Sequence, residues 1–193
     1  MICCVTGHRP KGFPFPYNAD NVYYNTYLDV LEDTIEDMIY EGYTHFISGM
    51  ADGVDLDFAS IVSCISINFE GIILESALPY PLHIPIKSTE RDEERNMLVN
   101  ASQKITVVSP QYFKGCMQKR NRYMVDSSDL VLAVWNGEEC GGTWDTIKYA
   151  RKKGKNIRYI MLKELTLEDR EKSLSRIVLV EEIRRKIEEN EKI

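Results

Sequence analysis

Six short apolar runs alternate with longer amphipathic segments along the chain, and this alternation restricts the fold more than any other feature. The apolar runs predict strands at residues 2–6, 44–48, 72–78, 104–109, 130–135 and 157–162. Apolar residues spaced by three and four predict helices at residues 21–41, 51–67, 89–101, 114–127 and 142–153. Because helices separate the strands, the strands must be mostly parallel. We therefore predict a Rossmann-like three-layer α/β sandwich with a mostly parallel central sheet of about six strands, in which the most hydrophobic strand, LVLAVW at residues 130–135, is central.

The composition restricts the partners and the compartment. The chain has 193 residues, a length compatible with one domain, and a formal net charge of −6. This charge argues against a protein that coats nucleic acid or an anionic membrane, because either partner requires excess Lys and Arg. The opening MICCVTGHRP has no basic region and no long apolar segment, so we expect no signal peptide, no transmembrane helix and a cytoplasmic location. We expect Cys3 and Cys4 in the core, and no metal site, because the cysteine and histidine spacings fit none.

The carboxyl-terminal end of the chain differs from the rest in its charge. We assign residues 1–163 to one Rossmann-like domain and residues 164–193 to a charged helical extension packed on or beside it. One side of this extension is apolar, with Ile177, Val178, Val180, Ile183 and Ile187. This side either packs on its own domain or mediates self-association, and we predict a homo-oligomer.

Glycines follow three of the predicted strands, in TGHRP, SGMADGVD and CGGTWD. In parallel sheets of this class, ligands bind at the carboxyl ends of the strands, near the point where strand order reverses. Glycine lets the backbone approach a ligand closely, and free N–H groups at a helix start attract anions. The predicted ligand-binding residues in these loops are Thr6, Gly7, His8, Arg9, Ser48, Gly49, Gly53, Asp55, Gly141, Gly142 and Thr143.

Side chains near these loops can supply the groups that a phosphate-bearing ligand needs. Hydroxyls of Thr6, Ser48 and Thr143 can donate to phosphate oxygens. Asp55 and Asp57 either cap their helix or accept hydrogen bonds from a ribose or a base. Basic residues, which either bind the anion or are surface charges, follow the first strand and precede the fifth: Arg9, Lys11, Lys119, Arg120 and Arg122.

Three further features have two interpretations each. His8 either contacts the ligand or acts as an acid or base, or it has no role in the site. Trp135 either stacks on a base or packs in the core. The residues Arg91, Glu93, Glu94 and Arg95 are expected to form a solvated helix face with local ion pairs. The chain has neither the GxxxxGK[ST] motif nor GxGxxG, so ordinary phosphate-loop and dinucleotide fingerprints are absent.

The segments TGHRP, SGMADGVDLDFA and RNRYMVDSSDLVLAVWNGEECGGTWDTIKYA resemble the YpsA-like branch of the SLOG superfamily, which also contains the DprA/Smf proteins and the LOG phosphoribohydrolases. The resemblance covers roughly residues 1–163. It implies a Rossmann-like fold that binds a nucleotide or a nucleotide-derived ligand. Gly49, Gly53 and Asp55 match the family's glycine–acid motif, and residues 141–143 match its phosphate-facing glycine motif.

The LOG enzymes cleave the N-glycosidic bond of cytokinin nucleotides, and the resemblance to them is partial. Arg120 falls at the position of their catalytic Arg. Thr146 stands where they have a catalytic Glu, and the adjacent Asp145 could substitute for it. Cleavage of an N-glycoside requires a carboxylate, by analogy with glycosidases. Arg120 and Asp145 are therefore the candidate catalytic residues.

Three functions follow from these observations. The first is a nucleotide sensor or regulator, with phosphates on residues 49–53 and 141–143. The bound molecule is ADP-ribose, NAD, an AMP-like or other linear or cyclic nucleotide, or a ribose phosphate. The second is a hydrolase of nucleotide N-glycosides that uses Arg120 with Asp145 or Asp55. The third is an oligomeric interaction protein. We expect a small phosphate-bearing partner and neither a membrane nor nucleic acid, since DprA-type binding of single-stranded DNA needs a basic surface.

Overall fold

Six parallel strands form a single sheet in the computed structural model, which describes residues 1–81 and 89–176. The strands are β1 (Ile2–Gly7), β2 (His45–Ser48), β3 (Ile73–Leu78), β4 (Lys104–Val107), β5 (Leu130–Trp135) and β6 (Asn156–Met161). Their order across the sheet is β4-β3-β2-β1-β5-β6. The Rossmann-like α/β prediction is thus confirmed, with strand ends that differ from the predicted ones by two residues at most.

Five α-helices connect the strands: α1 (Val22–Tyr40), α2 (Val54–Asn68), α3 (Glu90–Ala101), α4 (Cys116–Ser127) and α5 (Gly141–Lys152). One core contains side chains of α1, α2 and α3, and a second core contains side chains of α4 and α5. The two groups of helices therefore cover opposite faces of the sheet. A short 3-10 turn, Pro10–Gly12, lies in the loop predicted after β1.

The strand β5 is an interior strand and not the central one. It pairs with β1 on one side and with β6 on the other. Five of its six residues are buried, because neighbours on both sides and helices on both faces cover it. Its hydrophobicity correctly predicted burial. Burial alone, however, does not show whether a strand lies in the middle of a sheet or next to an edge strand.

The predicted helix start at residue 51 is wrong, since α2 begins at Val54. Met50 has φ = 55° and Gly53 has φ = 96°, so residues 49–53 form a turn instead of helix. Neither Asp55 nor Asp57 caps α2: the N-cap is Gly53, which makes no side-chain cap bond. In contrast, α3 is capped by a side chain: Thr89 is its N-cap, and the Thr89 hydroxyl accepts from the Asp92 N–H in a capping box.

Beyond β6, residues 167–176 are helical and contact α1. Ser173 Oγ donates to Asp33 Oδ2 at 2.6 Å, and Arg176 Nη2 pairs with Asp37 at 2.8 Å. The predicted apolar side at residues 177–187 and most of the predicted loop at residues 80–86 lie outside the described residues. Within the described ranges, no helix has the length and apolarity needed to cross a membrane.

Cys3 and Cys4 are both fully buried in β1, as predicted. The two side chains point to opposite faces of the sheet, since successive residues of a strand alternate. Cys3 accordingly belongs to the core beneath α1 and α2, and Cys4 to the core beneath α4 and α5. Burial raises the pKa of the Cys4 thiol to about 12, so this thiol stays protonated and inert.

Candidate ligand-binding cleft

The order of strands reverses between β1 and β5, where the chain continues into helices on opposite faces of the sheet. A cavity of about 270 Å³ opens at this point, as expected for the switch point of an open α/β sheet. We call it the switch-point cleft. Eight of the predicted site residues line it, from all three glycine loops and α4: Thr6, Gly7, His8, Arg9, Asp55, Arg120, Gly142 and Thr143.

Arg120 is the most buried cation of the switch-point cleft. It comes from α4, and only 5% of the residue is exposed. Among the described residues its guanidinium makes one hydrogen bond, from Nη1 to Asp55 Oδ2 at 3.4 Å. Its Nε is buried and has no partner there. Burial lowers the pKa of Arg120, but a guanidinium remains protonated in proteins. The cleft therefore contains a charged group with unused hydrogen-bond donors.

Asp55 is the counter-ion of Arg120, and the turn at residues 49–53 orients it. Its Oδ2 accepts from the Ala51 N–H at 3.3 Å as well as from Arg120. Burial raises the pKa of the Asp55 carboxyl, and the charge of Arg120 opposes that shift. Ser48 does not line the cleft: its buried Oγ donates to the Asp55 carbonyl at 2.7 Å and accepts from the Met50 N–H. Ser48 thus holds the turn in place.

Gly49 and Gly53 lie where the turn after β2 approaches other parts of the cleft. A Cβ at Gly49 would overlap Arg120 Nη1 and lie 2.6 Å from Asp55 Oδ2. A Cβ at Gly53 would overlap the His8 carbonyl oxygen and lie 2.8 Å from the Cα of Arg9. These two glycines therefore make room for protein groups: one admits the guanidinium, and the other lets α2 pack against the end of β1.

The start of α5 presents backbone donors to the switch-point cleft. Its N-cap, Cys140, makes no side-chain cap bond, and no side chain of the described residues accepts from the first N–H groups of the helix. A Cβ at Gly141 or at Gly142 would meet no atom within 4 Å, so this loop is open. Thr143 Oγ1 donates to the Gly7 carbonyl at 2.8 Å, which fixes α5 against β1. Gly142 and Thr143 line the cleft, whereas Gly141 does not.

His8 and Arg9 form the rim contributed by the loop after β1. His8 Nε2 accepts from the Asn136 N–H at 3.2 Å, so the proton of the neutral ring is on Nδ1. Burial lowers the pKa of His8, which favours this neutral form. Arg9 is exposed, and within the described part of the chain no carboxylate pairs with it. An exposed cation without a carboxylate partner among the described residues therefore lies in the same cleft as the buried Arg120.

Asp145 is not brought together with Arg120. Its side chain is 61% exposed, pairs with Lys148 at 2.9 Å and lines a neighbouring groove between α4 and α5 to which Arg120 does not contribute. Thr146 lines the cleft instead. Its Oγ1 donates to the Gly142 carbonyl at 2.9 Å and accepts from Asn121 Nδ2 at 3.1 Å. The carboxylates that line the switch-point cleft come from the turn after β2 (Asp52) and the first turn of α2 (Asp55), not from α5.

Trp135 does not line the cleft either. Its ring stacks on Trp144 at 5.3 Å between centroids, and its Nε1 donates to the Glu138 carbonyl. The basic residues Lys119 and Arg122 lie over the rings of Phe113 and Tyr149, and Lys11 is exposed. Of the predicted basic residues, only Arg9 and Arg120 line the switch-point cleft.

The predicted local ion pairs on α3 form, since Arg91 Nη1 pairs with Glu94 Oε2 at 2.6 Å and Arg95 pairs with Asp92. Arg91, however, also bonds to groups beyond α3. Its Nε donates to Asp52 Oδ1 at 2.9 Å and its Nη2 donates to Tyr17 Oη at 2.7 Å. Asp52 lines the cleft, so Arg91 connects α3 to it. Asp52 was missed because it lies between the two glycines of a motif that we read only for its backbone. Asn121 was missed because nothing in its sequence position distinguishes it from a surface residue.

The described residues contain no group of three or more His, Cys, Asp or Glu side chains arranged to hold a metal ion. The chain was also compared with known proteins. A family model described as the YspA SLOG family, YpsA, matches residues 3–168. No curated protein matches the sequence. The match includes β1, the turn after β2, α4 and the start of α5, which together form the cleft.

Proposed function

The chain belongs to the YpsA family of SLOG proteins, and from this premise we propose that it binds a nucleotide or a nucleotide derivative in the switch-point cleft and acts as a sensor or regulator. Family membership supports a nucleotide-related role, and the position of the cleft at the switch point supports a ligand there. ADP-ribose, NAD and AMP-like nucleotides are the candidate ligands.

One observation carries the proposal: a buried guanidinium lines the cleft with most of its donors unused. Arg120 is 5% exposed, and its only carboxylate partner in the described chain is 3.4 Å away. Burying a charge is unfavourable unless it is paired and hydrogen-bonded. A phosphate would satisfy the remaining donors of Arg120, because its oxygens match the planar guanidinium.

The neighbouring groups fit the rest of a nucleotide. In this proposal the N–H groups of Gly142 and Thr143 bind the same phosphate as Arg120, helped by the helix dipole of α5. Arg9 closes over the phosphate from the rim. Asp55 accepts a hydrogen bond from a ribose hydroxyl through the carboxylate oxygen that Ala51 and Arg120 leave free.

Calorimetric titration with AMP tests this proposal. We expect wild type to bind AMP and Arg120→Gln to bind it at least about tenfold more weakly, as for the loss of one charge-assisted contact. Arg120→Lys keeps the charge and should fall between the two. Arg122→Gln is the matched control, since it lies on the same helix outside the cleft and should bind like wild type. Equal affinity of Arg120→Gln and wild type would contradict the proposal.

A second candidate function is the hydrolysis of a nucleotide N-glycoside. It is favoured by the position of Asp55, a carboxyl in the cleft whose pKa burial raises. Asp55 would stabilise the developing positive charge of the sugar, in the role that carboxylates have in glycosidases. Chromatography of AMP and NAD incubated with the protein tests this function. Release of free base by wild type but not by Asp55→Asn would establish it, and intact nucleotides after prolonged incubation would exclude it for these substrates.

A further inference from the structure

A second cavity of about 260 Å³ adjoins the switch-point cleft over the carboxyl ends of β2 and β3. We call it the β3-side cavity. Its walls include Leu78 at the end of β3, Tyr80 after it, and Arg95 from α3. It shares Arg9, Asp52 and Arg120 with the switch-point cleft. The two cavities are therefore neighbouring compartments of one depression, with the guanidinium of Arg120 in the wall of both.

Three arginines line the β3-side cavity, against one carboxylate. The arginines are Arg9, Arg95 and Arg120, and the carboxylate is Asp52. Asp52 is already compensated, because Arg91 Nε donates to it at 2.9 Å from outside the cavity. Arg120 and Arg95 have carboxylate partners outside this lining, Asp55 and Asp92, whereas Arg9 has none among the described residues. Guanidiniums with unused donors around one small cavity favour an anion.

Arg95 is fixed by an ion pair, but not all of its hydrogen-bond donors have a partner among the described residues. It forms an ion pair with Asp92, one turn away on α3, and 23% of its side chain is exposed. Asp92 is itself fixed by the capping box of α3. The Nε of Arg95 is buried and, like that of Arg120, has no partner among the described residues. Two arginines with unused donors therefore border the same cavity from opposite sides.

We propose that the β3-side cavity is a second anion subsite, and that the ligand carries two directly linked phosphates, as in a nucleoside diphosphate or one of its derivatives. This rests on the proposed function, in which the first phosphate lies against Arg120 and the start of α5. The second phosphate lies between Arg95 and Arg9. Arg95 thus determines specificity for diphosphate over monophosphate.

The shared position of Arg120 is the reason for choosing linked phosphates over distant ones. One guanidinium presents five N–H donors in a fixed planar fork and can contact two neighbouring phosphates at once. Arg9 also borders both compartments, and its exposed side chain can contact either phosphate. A ligand with separated phosphates would leave the wall between the compartments without this bridging contact.

Calorimetric titration with AMP, ADP and adenosine 3′,5′-bisphosphate tests the inference in metal-free buffer. We expect wild type to bind ADP about tenfold more tightly than AMP or more. Arg95→Gln should lose this preference while binding AMP within about twofold of wild type, and Arg95→Lys should retain part of it. Arg122→Gln is the control that should leave the preference unchanged, and thermal unfolding of each variant verifies its fold.

The outcomes separate this inference from the proposed function. Failure of wild type to bind any of the three nucleotides would overturn both. Binding of AMP with no tighter binding of ADP would overturn the second subsite alone, as would an equal loss of AMP and ADP affinity in Arg95→Gln. Tighter binding of the 3′,5′-bisphosphate than of ADP would overturn the choice of linked phosphates.

Discussion

Gly49 lies against the guanidinium of Arg120, so its lack of a side chain determines where that cation sits. In Gly49→Ala the new methyl group would overlap Arg120 Nη1 and crowd Asp55. The guanidinium is the end of a flexible side chain, so we expect it to move and the protein to remain folded. AMP affinity should fall about tenfold or more, because the phosphate loses its buried partner. Calorimetric titration measures this change.

The control for Gly49→Ala is Arg122→Gln, which lies outside the switch-point cleft and should bind AMP like wild type. Thermal unfolding should show that both variants are folded. If Gly49→Ala bound AMP as tightly as wild type, Arg120 would not be the group that binds the phosphate.

The buried carboxyl of Asp57 should make the free energy of unfolding depend on pH. It accepts hydrogen bonds from Tyr17 at 2.6 Å and from Tyr27 at 3.1 Å, and its residue is 6% exposed. Burial raises the pKa of its carboxyl from 3.8 to about 6. Between these values the folded state binds more protons than the unfolded state, so the free energy of unfolding falls as pH rises. The contribution of Asp57 to this fall is about 3 kcal/mol.

Urea unfolding of wild type and Asp57→Asn at pH 4, 5, 6 and 7 measures this contribution. The variant has no carboxyl at position 57. Wild type should therefore lose about 2.4 kcal/mol relative to it between pH 4 and pH 7, because part of the total of about 3 kcal/mol is already lost at pH 4. Parallel pH profiles for the two proteins would show that Asp57 has an ordinary pKa.

At the scale of the elements, α1 shows how a single side chain fixes a helix start. Asn21 Oδ1 accepts from the N–H groups of Tyr23 at 3.0 Å and of Tyr24 at 3.1 Å. Asn21→Ala should lower the free energy of unfolding by about 1 kcal/mol, because two backbone donors lose their partner. Asn21→Ser should lower it by only a few tenths, since serine is also a good N-cap. Equal unfolding midpoints for the two variants in urea would contradict this role.

Element types were predictable because apolar periodicity reports directly on which face of a strand or helix is buried. Element boundaries were less predictable where a turn has unusual backbone angles. The apolar pattern predicts helix at residues 51–53, but a turn that ends at Gly53 makes α2 begin at Val54. The surroundings of that turn are set by tertiary contacts with Arg120 and His8, and the local sequence pattern carries no information about such contacts.

The candidate site was predictable only in part, for the same reason. Strand ends and glycines indicated the switch-point cleft, and the family resemblance indicated Arg120. Whether Asp145 or Thr146 faces Arg120 depends on the rotation of α5, and the structure places Thr146 there. Arg91 and Arg95 read as surface charges because the sequence does not show that α3 lies beside the turn after β2.

In the molecule as a whole, the reversal of strand order between β1 and β5 determines where the candidate site lies. It brings the loop after β1, the turn after β2 and the start of α5 around one cleft, although more than 130 positions separate Gly7 from Thr143, which share a hydrogen bond. The cleft therefore exists only in the folded chain. Ligand binding should raise the stability of the whole domain, because the unfolded chain has no such site.

Self-association remains a prediction of the sequence. The helical residues 167–176 contact α1 through Ser173 and Arg176, which supports an extension that begins on its own domain. Multi-angle light scattering measures the mass in solution. We expect a multiple of the single-chain mass, since most soluble oligomers are homomeric. A mass of one chain would remove the oligomeric interpretation.

The most direct test of the central claim is a crystal structure of the protein grown with saturating AMP. We expect the 5′-phosphate in the switch-point cleft, within hydrogen-bond distance of the Arg120 guanidinium and of the Thr143 N–H, with the ribose near Asp55. A nucleotide bound elsewhere on the molecule, or a switch-point cleft that stays free of nucleotide under those conditions, would contradict it.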